Sequence, residues 1–245
     1  MITAGIDLAA QPERTAVARI KWTTDCAVIE NVVSHADGEV ILQMVKQARK
    51  TGIDCPLGWP TAFVEFVTSH HGGHVSIPAD GHGSRRKLTM RRTDVFVHEK
   101  LRLTPLSVSA DRIAHVALRC AVLLGKLEAA GVPVDRAGSG PVADVYPAAS
   151  LRSWGLDHRG YKQKADTSAL ASLVDRLLDE APWLDCTTRE QAMRRSHDVF
   201  DAVIAAMTAR AAALRQTIPL TEDDLAAATA EGWIVIPDKS ISALL

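Results

Sequence analysis

Four aspartates stand where side chains from distant parts of the chain could meet. Asp7 ends a short apolar segment, and Asp54 ends a second one. Asp198 and Asp201 lie three residues apart at the start of an alanine-rich segment, so on a helix they would project from the same face. Carboxylates gathered in one place repel one another, and a divalent cation that prefers oxygen ligands, such as Mg²⁺ or Mn²⁺, relieves that repulsion. The four aspartates together predict a site for one of these ions.

Such a site suits the hydrolysis of phosphodiester bonds. Two divalent ions about 4 Å apart can activate a water molecule and stabilise the leaving oxygen. The sequence therefore predicts a metal-dependent nuclease acting on DNA or RNA. The same residues are predicted as metal ligands and as catalytic residues: Asp7, Asp54, Asp198 and Asp201. The sequence leaves open whether Asp198 or Asp201 is the main ligand, and whether one or two ions bind.

Each aspartate alone also has a structural explanation. Asp7 could begin a turn, and Asp54 could be an Asx-turn residue ahead of a proline. Asp198 stands where an acidic side chain commonly stabilises the N-terminus of a helix. Asp201 lies deeper in an apolar stretch and is harder to explain in this way. The prediction of a metal site therefore depends on the group and not on any single residue.

The segments around these aspartates predict how they are positioned. Apolar segments at 2–8, 15–22 and 26–33, separated by polar breaks, predict an antiparallel meander of three strands. Apolar residues at helical spacing between 41 and 48 predict a helix, with Gly52 just past its end. A brief strand follows and is stopped by two prolines.

A helical crossover normally joins parallel strands in a right-handed sense. The fourth strand, which ends near Asp54, is therefore expected to lie parallel to the first, so that Asp7 and Asp54 share the carboxyl edge of the sheet. The alanines that follow Asp201 are small enough to let their helix lie close to the sheet. That packing would bring the acidic first turns of the helix to the same edge.

The remaining elements are predicted from helical periodicity and from breaks at glycine and proline. In chain order they are a short helix at 61–69, a mobile exposed loop at 70–92, a long helix at 113–127, a strand at 141–146, helices at 170–178, 197–214 and 221–230, and a strand at 233–236. The predicted fold class is α/β, with a mixed five-stranded sheet of three antiparallel and then parallel strands, flanked by helices. We expect a single domain over residues 1–245, with a helical and loop insertion at 61–135.

Composition narrows the class of protein. The formal net charge of −1 gives no overall basic field, and aromatic residues, at 4%, are too few for a surface that stacks bases. The four cysteines form no CxxC pair and no signal peptide is visible, so we expect a cytoplasmic chain. The longest apolar region, at 113–124, is interrupted by His115 and Arg119, which indicates a core helix and no membrane span.

Six stretches along the chain carry a resemblance to a known family. They are Gly-Ile-Asp at 5–7, Ile-Asp-Cys-Pro-Leu-Gly-Trp-Pro at 53–60, Arg-Thr-Asp at 92–94, Val-Tyr-Pro at 145–147, His-Asp-Val-Phe-Asp-Ala at 197–202 and Glu-Gly-Trp-Ile-Val-Ile-Pro at 231–237. In this order they resemble the predicted ribonuclease H-like nucleases, the family called domain of unknown function 429. The His-Asp-x-x-Asp-Ala element is also similar to the last acidic motif of Holliday junction resolvases. The resemblance implies a ribonuclease H-like fold and a metal-dependent nuclease.

The resemblance also assigns roles to residues. The four aspartates would supply the metal ligands, with Asp198 and Asp201 as alternatives. Glu39 is the candidate for the glutamate that ribonuclease H enzymes place on their first helix, which leaves the number of metal ions open. Where the family often shows glutamate before its Tyr-Pro element, this chain has Asp144, an additional acid.

Further residues are predicted to bind the substrate: Arg92, Asp94, Asp144, Tyr146 and His197. Arg92 lies within a family-like stretch and could contact a phosphate. Tyr146 could donate a hydrogen bond to a site carboxylate, and His197 could carry a proton. A core position for Tyr146 and a capping or packing role for His197 are the structural alternatives.

Two other functions remain open on the sequence. Actin-like ATP-binding phosphotransferases share this kind of sheet and begin with Gly-Ile-Asp, but the loop after Asp7 lacks the glycines that cradle phosphate. A catalytically silent nucleic-acid-binding module could keep the acidic edge without cutting. The predicted partner is nucleic acid, either DNA or RNA, and no membrane; the sequence does not predict the oligomeric state.

Overall fold

The computed structural model describes residues 1–74, 82–163 and 167–245, and within them a mixed six-stranded sheet. Its strands are β1 (Ile2–Asp7), β2 (Ala16–Trp22), β3 (Ala27–Ser34), β4 (Lys50–Asp54), β5 (Val142–Asp144) and β6 (Leu184–Asp185). They lie in the order β5-β4-β1-β2-β3-β6 across the sheet. The prediction of five strands is wrong, because β6 adds parallel to β3 and, at two residues, is too short to show an alternating pattern.

The first three strands form the antiparallel meander predicted from the sequence. Helix α1 (Gly38–Gln47) then crosses over, and β4 lies parallel to β1 in the register that pairs Asp7 with Asp54. The two aspartates therefore end neighbouring parallel strands at one edge, as predicted. Gly52 lies inside β4 and not at the end of the helix, since α1 already ends at Gln47.

Helices pack on both faces of the sheet. The stretch between β4 and β5, which includes the predicted insertion at 61–135, contains α2 (Thr61–His71), α3 (His82–Thr89), α4 (Arg92–Leu101) and α5 (Ala114–Ala129). After β5 come α6 (Pro147–Ser153), α7 (Ser168–Glu180), α8 (Glu190–Arg195), α9 (His197–Ala213) and α10 (Glu222–Glu231). None of the helices in the described ranges is long and apolar enough to span a membrane.

Two local predictions are wrong. The expected loop at 70–92 contains α3, a helix without an apolar stripe that hydrophobic periodicity could detect; residues 75–81 of that prediction lie outside the described residues. The expected strand at 233–236 forms a single bridge, from Ile234 to Asp144 of β5, and no ladder. Val235 donates its backbone N–H to the carbonyl oxygen of Asp144 in β5, but Ile234 donates to Thr93 Oγ1, so the pairing with β5 does not extend into a ladder.

Helix α9 lies directly on the sheet, closer than ordinary side chains would allow. A Cβ atom at Gly5 of β1 would stand 2.0 Å from the backbone oxygen of Ala202. A Cβ atom at Gly52 of β4 would stand 2.5 Å from the backbone oxygen of Ala205. Glycine on the strands and alanine on the helix make this approach possible, as the alanine-rich sequence predicts. The contact brings Asp201, in the second turn of α9, to the ends of β1 and β4.

A buried ionic group connects α4 to β5 and to the end of α10. Arg91, only 2% exposed, donates to Asp94 Oδ1 at 2.9 Å and to Asp144 Oδ2 at 2.6 Å. Its Nη1 also donates to the backbone oxygen of Glu231 at 3.4 Å. One guanidinium thus forms ion pairs with two carboxylates that have almost no access to water. A buried carboxylate without a cationic partner would strongly destabilise the folded protein.

Replacing Arg91 by methionine is expected to destabilise the protein by about 3–5 kcal/mol, since the change leaves two buried carboxylates unpaired. The measurement is unfolding in urea followed by circular dichroism. Arg176→Met is the matched control, because Arg176 pairs with Asp157 at the surface, where an ion pair contributes about 0–1 kcal/mol. Equal losses of stability in the two variants would contradict the role given to Arg91.

Candidate metal centre and its cleft

Three of the four predicted aspartates come together at the carboxyl edge of the sheet. Asp7, Asp54 and Asp201 each offer a carboxylate oxygen, and these oxygens all lie within 4.8 Å of one another. Asp7 and Asp54 are partly exposed, whereas Asp201 is fully buried. We call these residues the aspartate triad. Glu39 is exposed on α1, where it accepts a hydrogen bond from Gln43, and within the described residues it does not join the triad.

Asp198 lies beside the triad and contacts different partners. Its Oδ1 lies 2.9 Å from Nδ1 of His197. Partial burial raises the pKa of Asp198, but the close contact with His197 outweighs it, so the net pKa is lowered. Of the two aspartates on α9, the structure therefore brings Asp201 into the triad and pairs Asp198 with His197.

Burial and mutual repulsion raise the pKa values of the triad. Burial, followed by the charges of Asp201 and Asp54, raises the pKa of Asp7 well above its usual value. Burial also raises the pKa of Asp54 to about 8, with the charges of Asp201 and Asp144 adding to the shift. The pKa of Asp201 is raised by burial, although Lys162 opposes this shift. Mutual repulsion keeps these carboxylates from all being ionised at once. A bound divalent cation would stabilise their ionised forms, which are the forms that act as metal ligands.

The metal-free protein is expected to lose stability as the pH rises. The pKa of Asp54 is about 8 in the folded protein and 3.8 for a free aspartate, so at intermediate pH the folded state holds a proton that the unfolded chain has released. The stabilisation is complete below the lower pKa and disappears as the pH passes the higher one. Asp54→Asn removes this titration. In a chelator, the melting temperature of the wild type should fall relative to that of Asp54→Asn between about pH 5 and about pH 8, and a constant difference would contradict the prediction.

Two residues that the sequence analysis missed contact Asp201. The hydroxyl of Tyr161 donates to Oδ1 at 2.8 Å, and Nζ of Lys162 lies 2.6 Å from Oδ2. Both residues lie between α6 and α7, outside regular secondary structure, where periodicity marks no residue. The chain contains only two tyrosines, Tyr146 and Tyr161, and Tyr146 lines the adjoining cleft. The rarity of tyrosine was therefore the one feature of the sequence that could have drawn attention to Tyr161.

The triad borders a cleft of about 720 Å³. Asp7 and Asp54 are part of its lining, together with several basic residues: Arg14, Arg112, His158, Lys162 and His197. Basic side chains around an acidic floor suit a ligand that presents phosphates to a bound cation. The position of Arg14 in the loop after β1 could have been used to place it at this edge. Arg112 precedes α5 and no sequence motif marks it.

Asp144 and Tyr146 also line the cleft, but Asp144 forms an ion pair with the buried Arg91. Its Oδ2 accepts a hydrogen bond from Arg91, and burial raises its pKa to about 6 even though Arg91 lowers it. The pKa of Tyr146 is raised by burial and then by the charge of Asp54, so its hydroxyl stays protonated and can donate a hydrogen bond in the cleft.

Arg92 and Asp94 lie away from the cleft, as far as the described residues define it. Nε of Arg92 donates to Asp224 Oδ1 at 2.7 Å, and its backbone N–H donates to Glu231 Oε2 at 2.7 Å. Asp94 is fully buried against Arg91. The two residues predicted from the Arg-Thr-Asp stretch thus connect α4 with its neighbours, and their positions give no support to the predicted contact with substrate.

Comparison with known proteins identifies the family of the chain but assigns no activity to it. The family described as Protein of unknown function (DUF429) matches residues 5–225, a range that includes the aspartate triad and Lys162. The family-like stretch at 231–237 lies beyond the matched range. No curated protein and no solved structure matches the chain.

Proposed function

The chain belongs to the DUF429 family, as its motifs predict, and we propose that it is a metal-dependent nuclease with a ribonuclease H-like fold. In this proposal the aspartate triad binds Mg²⁺ or Mn²⁺, and the cleft beside it binds DNA or RNA. The observation that carries the proposal is the meeting of three carboxylates from two strand ends and a helix, with ligand oxygens within 4.8 Å of one another.

The arrangement of the sheet supports the ribonuclease H-like part of the proposal. An antiparallel meander of β1, β2 and β3 is followed by β4 and β5, which continue the sheet beyond β1 in parallel. This is the pattern of strands that the resemblance implies. The extra strand β6 lies beyond β3, at the opposite edge of the sheet, and leaves the triad unchanged. Ligand sites in open α/β sheets form outside the carboxyl ends of the strands, where the triad lies.

The donor set of the triad fits Mg²⁺ or Mn²⁺, which prefer carboxylate oxygens. Bound there, such an ion would lower the pKa of a water ligand and stabilise negative charge on the leaving oxygen. Asp7, Asp54 and Asp201 would hold the ion from backbone elements that are packed directly against one another. Arg14 and Arg112 would bind phosphates of the substrate through charge-assisted hydrogen bonds.

His197 is placed to move a proton in this reaction. Its Nδ1 lies 2.9 Å from Asp198, which leaves Nε2 as the nitrogen that can reach water or substrate. His197 lines the same cleft as Asp7 and Asp54. We infer that the His197–Asp198 pair exchanges a proton with the leaving group, while the triad holds the metal ion.

The proposal is tested by incubating the purified protein with end-labelled single strands, duplexes and branched junctions of DNA and RNA. Cleavage of at least one of these in Mn²⁺ or Mg²⁺, and none in a chelator, is the expected result. Binding without cleavage in either metal would favour a catalytically silent module on the same fold. Neither binding nor cleavage of any of these substrates would end the proposal.

Arg14→Gln and Arg112→Gln are expected to weaken nucleic-acid binding most at low salt. Each change removes about one phosphate contact, so each should make the slope of log K against log salt about one unit less steep. Binding can be measured by fluorescence anisotropy in Ca²⁺, a divalent ion used here to limit cleavage. Arg176→Gln, at a surface ion pair that is not part of the cleft lining, is the control. An unchanged slope in the Arg14→Gln, Arg112→Gln double variant would exclude these residues as phosphate contacts.

A further inference from the structure

Lys162 contributes a positive charge to the aspartate triad itself. Its Nζ lies 2.6 Å from Oδ2 of Asp201, a residue that is fully buried. Partial burial lowers the pKa of Lys162, but the charges of Asp201 and Asp54 outweigh it, so the net pKa is raised. One ammonium group therefore stands among carboxylates that would otherwise only repel one another, in the part of the site where a cation is needed.

Tyr161 is held in the core, whereas the neighbouring Lys162 reaches Asp201 with a side chain that is half exposed. Tyr161 is 3% exposed and packs against Phe200, with ring centroids 5.7 Å apart. The side chain of Lys162, in contrast, is 52% exposed and lines the cleft. Nζ also lies 5.6 Å from the centre of the Tyr161 ring. Lysine carries its charge on a flexible four-carbon chain, so Nζ can exchange these two contacts for water by rotation of its own side chain.

We propose that Lys162 is a built-in counter-cation, which occupies the place of the divalent ion and competes with it for Asp201. An ammonium group and a divalent cation carry charge of the same sign, so each weakens the binding of the other to one carboxylate. The metal ion then binds only the fraction of molecules in which Lys162 has moved away, and its apparent affinity is reduced by that fraction. This inference rests on the proposed metal site and deepens it by naming the residue that sets the metal affinity.

The competition has two consequences that a purely structural lysine would not produce together. Removing the charge of Lys162 takes away a favourable contact from the metal-free protein, which should therefore melt at a lower temperature. The same change removes the competitor of the metal ion, so the ion should bind more tightly and should raise the melting temperature by more than it does in the wild type.

The test is a calorimetric titration of the full-length protein with Mn²⁺ alone. Lys162→Met keeps most of the length of the side chain and removes its charge, so we expect about a tenfold lower Kd, equivalent to about 1.4 kcal/mol. Lys162→Arg keeps the charge, and we expect it to bind Mn²⁺ no more tightly than the wild type. Lys239→Met, at an exposed ion pair with Asp238, is the control and is expected to leave the Kd unchanged.

The outcomes separate this inference from the proposed function. Unchanged or weaker Mn²⁺ binding by Lys162→Met, beside a wild type that binds, overturns the counter-cation and leaves the metal site in place. Mn²⁺ binding by Lys162→Met alone supports the counter-cation in its strongest form. If neither protein binds Mn²⁺, the proposed metal site fails, and the inference fails with it. Should Lys162→Met not fold, Lys162→Gln is titrated in its place and judged by the same outcomes.

Discussion

Asp201→Asn is expected to abolish metal-dependent cleavage while the protein stays folded. Asparagine has the size of aspartate and can still accept the hydrogen bond from Tyr161, so the packing of α9 is retained. It lacks the charge that holds the ion. We expect cleavage to fall about 10³-fold or more, since losing even an outer-shell partner of a metal ligand typically costs about 10- to 100-fold. Asp7→Asn should behave in the same way. The measurement is the initial rate of cleavage in Mn²⁺.

Two controls make this prediction specific. Asp223→Asn changes an exposed aspartate on α10 and is expected to leave the rate unchanged. Asp198→Asn should reduce the rate by less than Asp201→Asn, because Asp198 contacts His197 and lies beside the triad. The increase in melting temperature caused by Mn²⁺ should disappear in Asp201→Asn and persist in both controls. Full activity in both Asp7→Asn and Asp201→Asn would end the nuclease proposal.

Of the substitutions that add one methyl group to the sheet, Gly5→Ala is expected to cause the largest loss of stability. The new Cβ would stand 2.0 Å from the backbone oxygen of Ala202 and 2.2 Å from the backbone nitrogen of Ala206. No flexible side chain can move aside, so α9 must shift as a whole. We expect the free energy of unfolding to fall by about 3 kcal/mol or more, the upper end of what overpacking costs.

The control for Gly5→Ala is the same substitution at an open position. A Cβ at Gly125, on the exposed side of α5, meets nothing within 4 Å. Gly125→Ala should therefore stabilise the protein by about 0.5–1 kcal/mol, as expected for alanine within a helix. Because the shift of α9 would also separate Asp201 from Asp7, Gly5→Ala should weaken Mn²⁺ binding. Urea unfolding that gives equal stabilities for Gly5→Ala and the wild type would contradict the close contact between α9 and β1.

The half of the site built on strands could be predicted from the sequence. Alternating apolar segments and the handedness of the crossover helix place Asp7 and Asp54 side by side before any coordinates are known. The pairing observed between them follows from those two rules alone. The alanines of α9 likewise indicate close packing, because few other residues let a helix approach a sheet so closely.

The other half depends on tertiary packing, which local patterns do not contain. Asp198 and Asp201 share a face of α9, and only the seating of that helix on Gly5 and Gly52 decides which one enters the triad. Asp144 resembles an additional site acid in the sequence, yet a partner far away in the chain, Arg91, neutralises it.

Lys162 was missed for a related reason. It lies on an irregular segment, so neither the 3.6-residue period of a helix nor the two-residue period of a strand marks it in the sequence. Its role follows from charge: a buried carboxylate must have a partner, and Lys162 supplies one at 2.6 Å from Asp201. Pairings of this kind become visible only when the chain is folded.

Anomalous scattering from a crystal soaked in Mn²⁺ would show whether the aspartate triad binds a divalent cation. We expect an anomalous peak about 2.1 Å from oxygens of Asp7, Asp54 and Asp201, with the ammonium of Lys162 displaced from Asp201. Saturating Mn²⁺ with no peak between these carboxylates, and with Lys162 still bound to Asp201, would contradict the proposed metal site.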